Sequence, residues 1–206
     1  LKRVVLELGG SDPFVVCEDA DIRTAVESGV AARFGNAGQV CISAKRFILN
    51  RKIADEFKDH FIQQVKQLQL GDPMDEGTTM GPLARQDIRD RIAEQVDTSI
   101  EMGAELLYQA RTIPKKGWFY PPTVLQCPNG DFPVLRDETF GPVAVLLTVD
   151  SDEEALAVAN DTTFGLGASV WTCSESRQQY FVSQLESGAV FINDRVKSQP
   201  ELPFGG

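Results

Sequence analysis

One cysteine follows a glycine-bearing turn in the segment Asn36-Ala-Gly-Gln-Val-Cys41, between a predicted helix and a predicted strand. Such a turn can present the Cys41 sulfur to a cleft and surround it with backbone N–H groups, which favours the reactive thiolate. The alternative is a buried thiol that acts as a small apolar side chain. Cys41 is therefore a candidate nucleophile. The other three cysteines have no comparable context: Cys17, Cys127 and Cys173.

A carboxylate stands inside an apolar run near the start of the chain. Glu7 lies within a predicted strand, residues 4–8, and directly before the pair Gly9-Gly10. A charge in such a run is costly unless it is paired or used, and the carboxyl ends of strands are where α/β sheets bind ligands. Glu7 is therefore a candidate general base. The alternative is an edge-strand residue that points to solvent.

A second carboxylate lies in the turn-rich segment Arg136-Asp-Glu-Thr-Phe-Gly-Pro142, before an apolar strand. Such a loop could offer Glu138 to sugar hydroxyls and the Phe140 ring to a flat ligand. On these residues alone, an exposed loop with one buried Phe is the better interpretation. The glycine pairs at residues 9–10 and 205–206 are too short to indicate a phosphate-binding loop.

Composition excludes several classes of function. The net charge of -10 argues against nucleic acid as a partner. No apolar run approaches the roughly 20 residues of a membrane span. Four separated cysteines without a C-x-x-C pair indicate reduced thiols, and the single histidine, His60, leaves no material for a histidine metal cluster or a Ser-His-Asp triad. We expect a soluble cytoplasmic protein without a metal, a membrane or a nucleic-acid partner.

The elements that must position these residues alternate between strand and helix. This pattern predicts one α/β domain with a largely parallel sheet flanked by helices. Strands are predicted at residues 4–8, 14–16, 46–49, 105–108, 143–149, 168–171 and 189–192. Helices are predicted at residues 20–34, 53–68, 84–102, from 151 onward and 174–185. Residues 71–82 and 112–129 are predicted to be long surface connections.

Four motifs occur in a fixed order along the chain: Leu6-Glu-Leu-Gly-Gly10, Gly38-Gln-Val-Cys41, Glu138-Thr-Phe-Gly-Pro142 and Pro203-Phe-Gly-Gly206. Their order and spacing resemble the aldehyde dehydrogenase superfamily over the whole chain. The resemblance implies that residues 1–206 form the catalytic, nucleophile-bearing domain. It also implies an NAD(P)-binding domain before residue 1 and an oligomerisation segment partly after residue 206, so we expect the isolated chain to be inactive.

The chemistry that the resemblance implies is covalent. The Cys41 thiolate attacks the aldehyde carbon, hydride passes to the nicotinamide, and Glu7 activates the water that hydrolyses the resulting thioester. The oxyanion is held by the backbone N–H of Cys41 and by an Asn from outside this chain. Four residues are implied to contact the cofactor, NAD or NADP: Glu138 at the nicotinamide ribose, Phe140 near the nicotinamide, and Leu8 and Gly9 lining its pocket.

The implied substrate is a small aldehyde. The segment Cys41-Ile-Ser-Ala-Lys-Arg-Phe47 is similar to the succinate-semialdehyde dehydrogenase branch of bacteria. Ser198 falls where some of that branch place a Ser against the substrate carboxylate, and Phe204 is implied to contact the substrate. Better-known members have an Arg six positions before the nucleophile, where this chain has Gly35. Arg33 or Arg195 could take that part, although a structural or solvated role fits both better.

Two other functions stay open. An acyl-transferring reductase of the same superfamily also forms a cysteine thioester, but such enzymes generally lack the carboxylate at the place of Glu7. A binding or structural protein could keep the fold without chemistry, and the presence of both Cys41 and Glu7 argues against this for the parent protein. The resemblance further implies a homodimer or homotetramer.

Overall fold

A seven-stranded sheet organises the computed structural model, which describes residues 2, 4 and 6–205. The strand order is β3-β4-β5-β2-β1-β6-β7, and every neighbouring pair is parallel except β3 with β4. The predicted largely parallel sheet is therefore confirmed. The strands are β1 (Asp12–Val16), β2 (Ala44–Asn50), β3 (Glu105–Gln109), β4 (Thr123–Gln126), β5 (Val143–Val149), β6 (Gly167–Trp171) and β7 (Ala189–Ile192).

Six α-helices flank the sheet within the described residues. They are α1 (Ile22–Phe34), α2 (Arg51–Val65), α3 (Gln86–Glu101), α4 (Pro133–Arg136), α5 (Asp152–Asn160) and α6 (Glu175–Gln184). A 3-10 turn (Gly35–Gly38) continues directly from α1. The predicted cap of α5 forms, because the Ser151 hydroxyl accepts from the Glu154 N–H at 3.1 Å. The Glu154 carboxylate accepts from the Asp150 N–H, one residue before the cap.

Aromatic side chains join α2 to the centre of the sheet. Phe57 and Phe61 lie on the predicted apolar stripe of α2 and are fully buried. The Phe47 ring of β2 lies 4.9 Å from the Phe61 ring, and the Phe14 ring of β1 lies 5.0 Å from Phe47, measured between centroids. Ring pairs at these distances add to the free energy gained by burial. Helix α2 is thus fixed against β1 and β2, the two strands that follow the glycine pair and Cys41.

Two sequence predictions about strands are wrong. Residues 4 and 6–8 form no strand, and Val4, Leu6 and Leu8 are 72, 66 and 78 % exposed. No partner strand runs beside them in the described part of the chain, so their backbone groups have no ladder to join. Conversely, β4 (Thr123–Gln126) lies in a segment predicted to be a surface connection. It is buried between β3 and β5, and it was missed because the prolines on either side are typical of loops.

Among the described helices, none has both the length and the apolar character that crossing a membrane requires.

Candidate active site

The candidate residues gather where four parallel strands begin. Strands β1, β2, β5 and β6 run in one direction, so the segments that precede them meet at one border of the sheet. We call this border the amino edge. Glu7 was predicted at the carboxyl end of a strand, and this is wrong because β1 begins only at Asp12. The glycine pair, the Cys41 segment and the Glu138 segment all lead into strands at the amino edge.

The glycine pair packs directly on the Glu138 side chain. The Gly10 N–H donates to Glu138 Oε1 at 3.1 Å. Gly9 has a φ of +88°, and a methyl group on its Cα would lie 2.7 Å from Glu138 Oε2. Any side chain at position 9 would therefore be strained and would displace the carboxylate. Glu138 is half-buried, and the contact leaves further lone pairs of its carboxylate free to accept from hydroxyl groups.

The same glycine pair contacts the turn that carries Cys41. Residues 40–43 form this turn, hereafter the Cys41 turn, which is closed by a 3.1 Å hydrogen bond from the Ser43 N–H to the Val40 carbonyl. A methyl group on Gly10 would lie 2.6 Å from the Cys41 carbonyl oxygen. Cys41 is half-buried. The Gly10 backbone therefore lies between the candidate nucleophile segment and the Glu138 carboxylate.

Backbone strain precedes the Cys41 turn. Asn36 and Ala37 have φ angles of 50° and 53°, in the left-handed region that residues other than glycine rarely adopt. A β-carbon there costs free energy, so the surrounding contacts must hold this conformation. The strain lies in the peptide segment that links α1 to the candidate nucleophile.

A buried guanidinium provides many of the contacts that maintain this strained conformation. Arg33, at the end of α1, is fully buried. It donates to the carbonyls of Gly38 at 3.4 Å and Ala44 at 3.5 Å, on either side of the Cys41 turn. It also donates to Thr139 at 3.0 Å and to Gly141, both in the segment that follows Glu138. Arg33 thus joins the two segments that carry candidate chemistry, and its role is structural.

An Arg33→Met variant is expected to lose about 3 kcal/mol of unfolding free energy, because several buried carbonyls lose their donor. Burial already lowers the pKa of Arg33 to about 9, and Glu138 partly opposes this shift. Urea unfolding followed by circular dichroism measures the loss. Arg23→Met, an exposed change on the same helix, is the matched control and should shift the midpoint little. Equal midpoints for the two variants would contradict the structural role of Arg33.

Glu7 and Leu8 lie beside this cluster, in a neighbouring cleft. A cavity of about 380 Å³ is lined by residues 6–9, residues 162–166 and Glu186. Glu7 is exposed there rather than desolvated. Because Gly9 also lines the cleft, the cleft and the Glu138 contact are adjacent. Phe140 is half-buried in the segment that follows Glu138.

The substrate candidates lie in the irregular segment after β7. Ser198 and Phe204 are exposed, and among the described residues Ser198 forms no hydrogen bond with the Cys41 turn. Val196 nevertheless reaches the amino edge, because a methyl group on Gly167, the first residue of β6, would lie 2.7 Å from its side chain. The segment that carries Ser198 therefore begins near the amino edge, and no hydrogen bond joins its described residues to the Cys41 turn.

Sequence analysis missed three buried charged residues beside the site. Asp12, Lys45 and Arg46 are each no more than 2 % exposed. The Gly167 N–H donates to Asp12 Oδ1 at 3.2 Å, and Arg46 donates to the Ser11 carbonyl at 2.9 Å. A signal was present in the sequence, since a Lys-Arg pair opens an apolar strand. Within the described residues, no group of three or more His, Cys, Asp or Glu could hold a metal ion.

The mostly parallel fold described above matches solved aldehyde dehydrogenase structures. The family model described as "Aldehyde dehydrogenase family" matches residues 1–206. The chain therefore belongs to the aldehyde dehydrogenase family.

Individual members of the family show which enzymes this chain is similar to. The chain is 48 % identical over 206 residues to a succinate-semialdehyde dehydrogenase [NADP(+)] of Mycobacterium avium, covering 100 % of this chain and 44 % of that protein. A succinic semialdehyde dehydrogenase from Streptococcus pyogenes, solved with NADP+, superposes with a TM-score of 0.92 at 39 % identity, covering 97 % of this chain and 44 % of that one. Lactaldehyde dehydrogenase from Escherichia coli gives 0.90 at 32 %, covering 94 % and 41 %. The chain thus spans less than half the length of these relatives.

Proposed function

We propose that this chain forms the nucleophile-bearing part of an NAD(P)-dependent aldehyde dehydrogenase that converts succinate semialdehyde, or a similar small aldehyde, to the carboxylic acid. The observation that carries the proposal is the position of Gly10 between the Cys41 carbonyl and the Glu138 carboxylate. It brings three motifs, far apart in the sequence, to one edge of the sheet. Family membership and the succinate-semialdehyde dehydrogenase relatives support the substrate class.

The proposed chemistry begins at Cys41. Its thiolate attacks the aldehyde carbon and forms a carbon–sulfur bond. The carbonyl oxygen becomes an oxyanion, to which the Cys41 N–H can donate a hydrogen bond. After oxidation, the carbon is held as a thioester on the same sulfur. Glu7 takes a proton from water, whose oxygen attacks the thioester carbon. The carbon–sulfur bond then breaks, which releases the acid and regenerates the thiolate.

Residues beside the glycine pair suit the cofactor. The Glu138 carboxylate is half-buried and can accept from ribose hydroxyls, and the missing side chain of Gly9 leaves space next to it. We assign Phe140, Leu8 and Gly9 to the nicotinamide pocket. When bound, NAD or NADP supplies the hydride acceptor for the oxidation. The NADP(+)-dependent relatives favour NADP.

Ser198 and Phe204 are assigned to the substrate side of the site. The contact between Val196 and Gly167 directs their segment toward the amino edge. The Ser198 hydroxyl can donate to a substrate carboxylate. We further propose that the parent protein is a cytoplasmic homodimer or homotetramer. Strand β7 supports assembly, because it forms one border of the sheet and is only half-buried.

The test compares two proteins: the 206-residue chain, and a protein of the same origin extended to the length of the relatives. With succinate semialdehyde and NADP+, the extended protein is expected to form NADPH and free succinate at an ordinary enzymatic rate. The 206-residue chain is expected to give no turnover, because the rest of the cofactor site and an oxyanion donor lie outside it. Absorbance at the NADPH band and chromatography of the acid measure both.

Two results would contradict the proposal in different ways. Oxidation by the 206-residue chain alone would show that the chain carries a complete site. Product formation by the extended protein only when an acyl acceptor is added would indicate the acyl-transferring reaction instead of hydrolysis. Replacing NADP+ by NAD+ in the same assay decides between the two cofactors.

A further inference from the structure

Lys45 interrupts the regular pairing of β1 and β2. Asp12 pairs with Ala44, and Pro13 pairs with Arg46, so Lys45 is an extra residue on β2. A bulge of this kind re-aims a side chain and is common next to functional sites. The Lys45 side chain is 1 % exposed, so the bulge directs an ammonium group into the protein rather than toward solvent.

The ammonium reaches back to the Cys41 turn. Its Nζ donates to the Cys41 carbonyl at 3.0 Å and to the carbonyls of Val40 and Ser43 at 3.4 Å each. An ammonium has three N–H donors, and here all three acceptors belong to one turn. No carboxylate lies within ion-pair distance of Lys45 in the described residues. The turn itself is therefore what Lys45 holds.

These contacts orient both peptide groups that flank the Cys41 Cα. The peptide bond is planar and trans, so each N–H points opposite to the carbonyl of its own peptide group. With the Val40 and Cys41 carbonyls directed at Lys45, the N–H groups of Cys41 and Ile42 point away from it. Neither N–H has a hydrogen-bond acceptor in the portion of the chain that the structure describes. Both stay free to meet an external oxygen.

We propose that Lys45 is a positioning residue, which fixes the Cys41 turn so that the Cys41 N–H and the thiolate face the substrate. The proposal rests on the proposed function of Cys41 as nucleophile. Among the described residues, the Lys45 ammonium donates its hydrogen bonds to carbonyls of the turn, so it acts through Cys41.

Several charged groups surround Lys45. Burial lowers its pKa, and the positive charge of Arg33 on α1 adds to that effect. The negative charges of Asp12 on β1, of Glu138 before β5 and of Cys41 oppose it. Burial conversely raises the pKa of Asp12. Lys45 therefore loses its proton at a lower pH than an exposed lysine does, and its hold on the turn should weaken as the pH rises through that value.

The first experiment measures alkylation of the 206-residue chain by substoichiometric iodoacetamide between pH 6 and pH 10, with mass spectrometry of each cysteine peptide. Cys173, which is exposed, serves as the internal reference. Lys45→Met is expected to reduce the ratio of Cys41 to Cys173 labelling about tenfold near neutral pH. The difference from the wild type should shrink at high pH, because the wild-type ammonium is then deprotonated.

Two control proteins separate positioning from stability. Lys116→Met changes an exposed lysine and should leave the labelling ratio unchanged. Lys45→Met removes one of the two cations whose charge acts on buried Asp12, the other being Arg46. Asp12→Asn is therefore combined with it, so that both buried charges are removed. The double variant is expected to keep the low ratio. A wild-type ratio in the double variant would overturn the proposal, because Lys45 would then serve only as the counter-ion of Asp12.

The second experiment keeps the two proposals distinguishable. Hydrogen exchange of the peptide that covers the Cys41 turn is expected to accelerate in Lys45→Met and in the double variant, but not in Lys116→Met. If wild-type Cys41 labels no faster than Cys173, the proposed nucleophile loses support, while exchange still decides whether Lys45 holds the turn. Unchanged exchange and an unchanged labelling ratio in both Lys45 variants would overturn the positioning role.

Discussion

Cys41→Ala in the extended protein is expected to reduce aldehyde oxidation by about 10⁴-fold or more, because no other side chain can form the thioester. The Cys41 side chain is half-buried, and its turn is held through backbone carbonyls. The variant should therefore fold normally. Initial rates of NADPH formation measure the effect, and circular dichroism checks the fold.

Cys173→Ala is the matched control for this prediction. Cys173 is a free and exposed cysteine, so its loss should leave the rate within about twofold. A Cys41→Ala variant that keeps more than about a hundredth of the wild-type rate would contradict the covalent mechanism. The same loss in both variants would indicate damage that is not specific to the nucleophile.

The environments of the other thiols explain why only one cysteine is a candidate. Cys17 and Cys127 are buried, and burial raises the pKa of each to about 12. Their thiolates are therefore scarce at neutral pH. Cys173 is exposed and comes just after the end of β6, so it lies at the border of the sheet opposite the amino edge. Cys41 lies in the turn whose Val40, Cys41 and Ser43 carbonyls accept from the buried Lys45.

The opposite border of the sheet helps to explain where the site lies. Ligands of α/β sheets commonly bind at the carboxyl ends of the strands. Here that border carries Arg177, which contacts Glu18 at 2.8 Å, Asp19 at 3.1 Å and Asp152 at 2.7 Å. The three carboxylates follow β1 and β5 in the sequence. The carboxylates there are paired with one guanidinium, whereas the candidate residues meet at the amino edge.

Periodicity predicted most of the fold because most elements bury a regular stripe. The α2 stripe and the strand at residues 143–149 were both predicted, and both are buried. The run at residues 4–8 has the composition of a strand but lacks a partner, and pairing is a tertiary property that composition does not contain. Strand β4 (Thr123–Gln126) was missed for the converse reason, since its burial depends on the neighbouring strands β3 and β5.

The candidate site shows the same limit. Motif order singled out Cys41, Glu7 and Glu138 as candidates, whereas the contact between Gly10 and Glu138 joins residues 128 positions apart. A local sequence pattern cannot predict a contact between residues so far apart in the chain. The burial of the cations Arg33 and Lys45 could not be predicted from the hydrophobic periodicity either, because a charge inside an element usually indicates a solvated face. Their role depends on backbone carbonyls that only the folded chain brings within reach.

Glu7→Gln is expected to slow steady-state turnover of the extended protein by about 10²- to 10⁴-fold while leaving the first turnover nearly unchanged. Cys41 still attacks the aldehyde and the oxidation still proceeds, but no carboxylate takes the proton from the hydrolytic water. Stopped-flow absorbance should show a burst of NADPH close to one equivalent per subunit. Mass spectrometry of the quenched variant should find the acyl group on the Cys41 peptide.

The exposure of Glu7 makes this prediction decisive, because an exposed carboxylate with no role would change neither phase. Glu186 lines the same cleft, so Glu186→Gln is the matched control and should keep both the burst and the steady rate. Added hydroxylamine, which attacks thioesters without a general base, should restore turnover in Glu7→Gln. If burst and steady state instead fall together, Glu7 acts before the thioester forms, and the deacylation role is wrong.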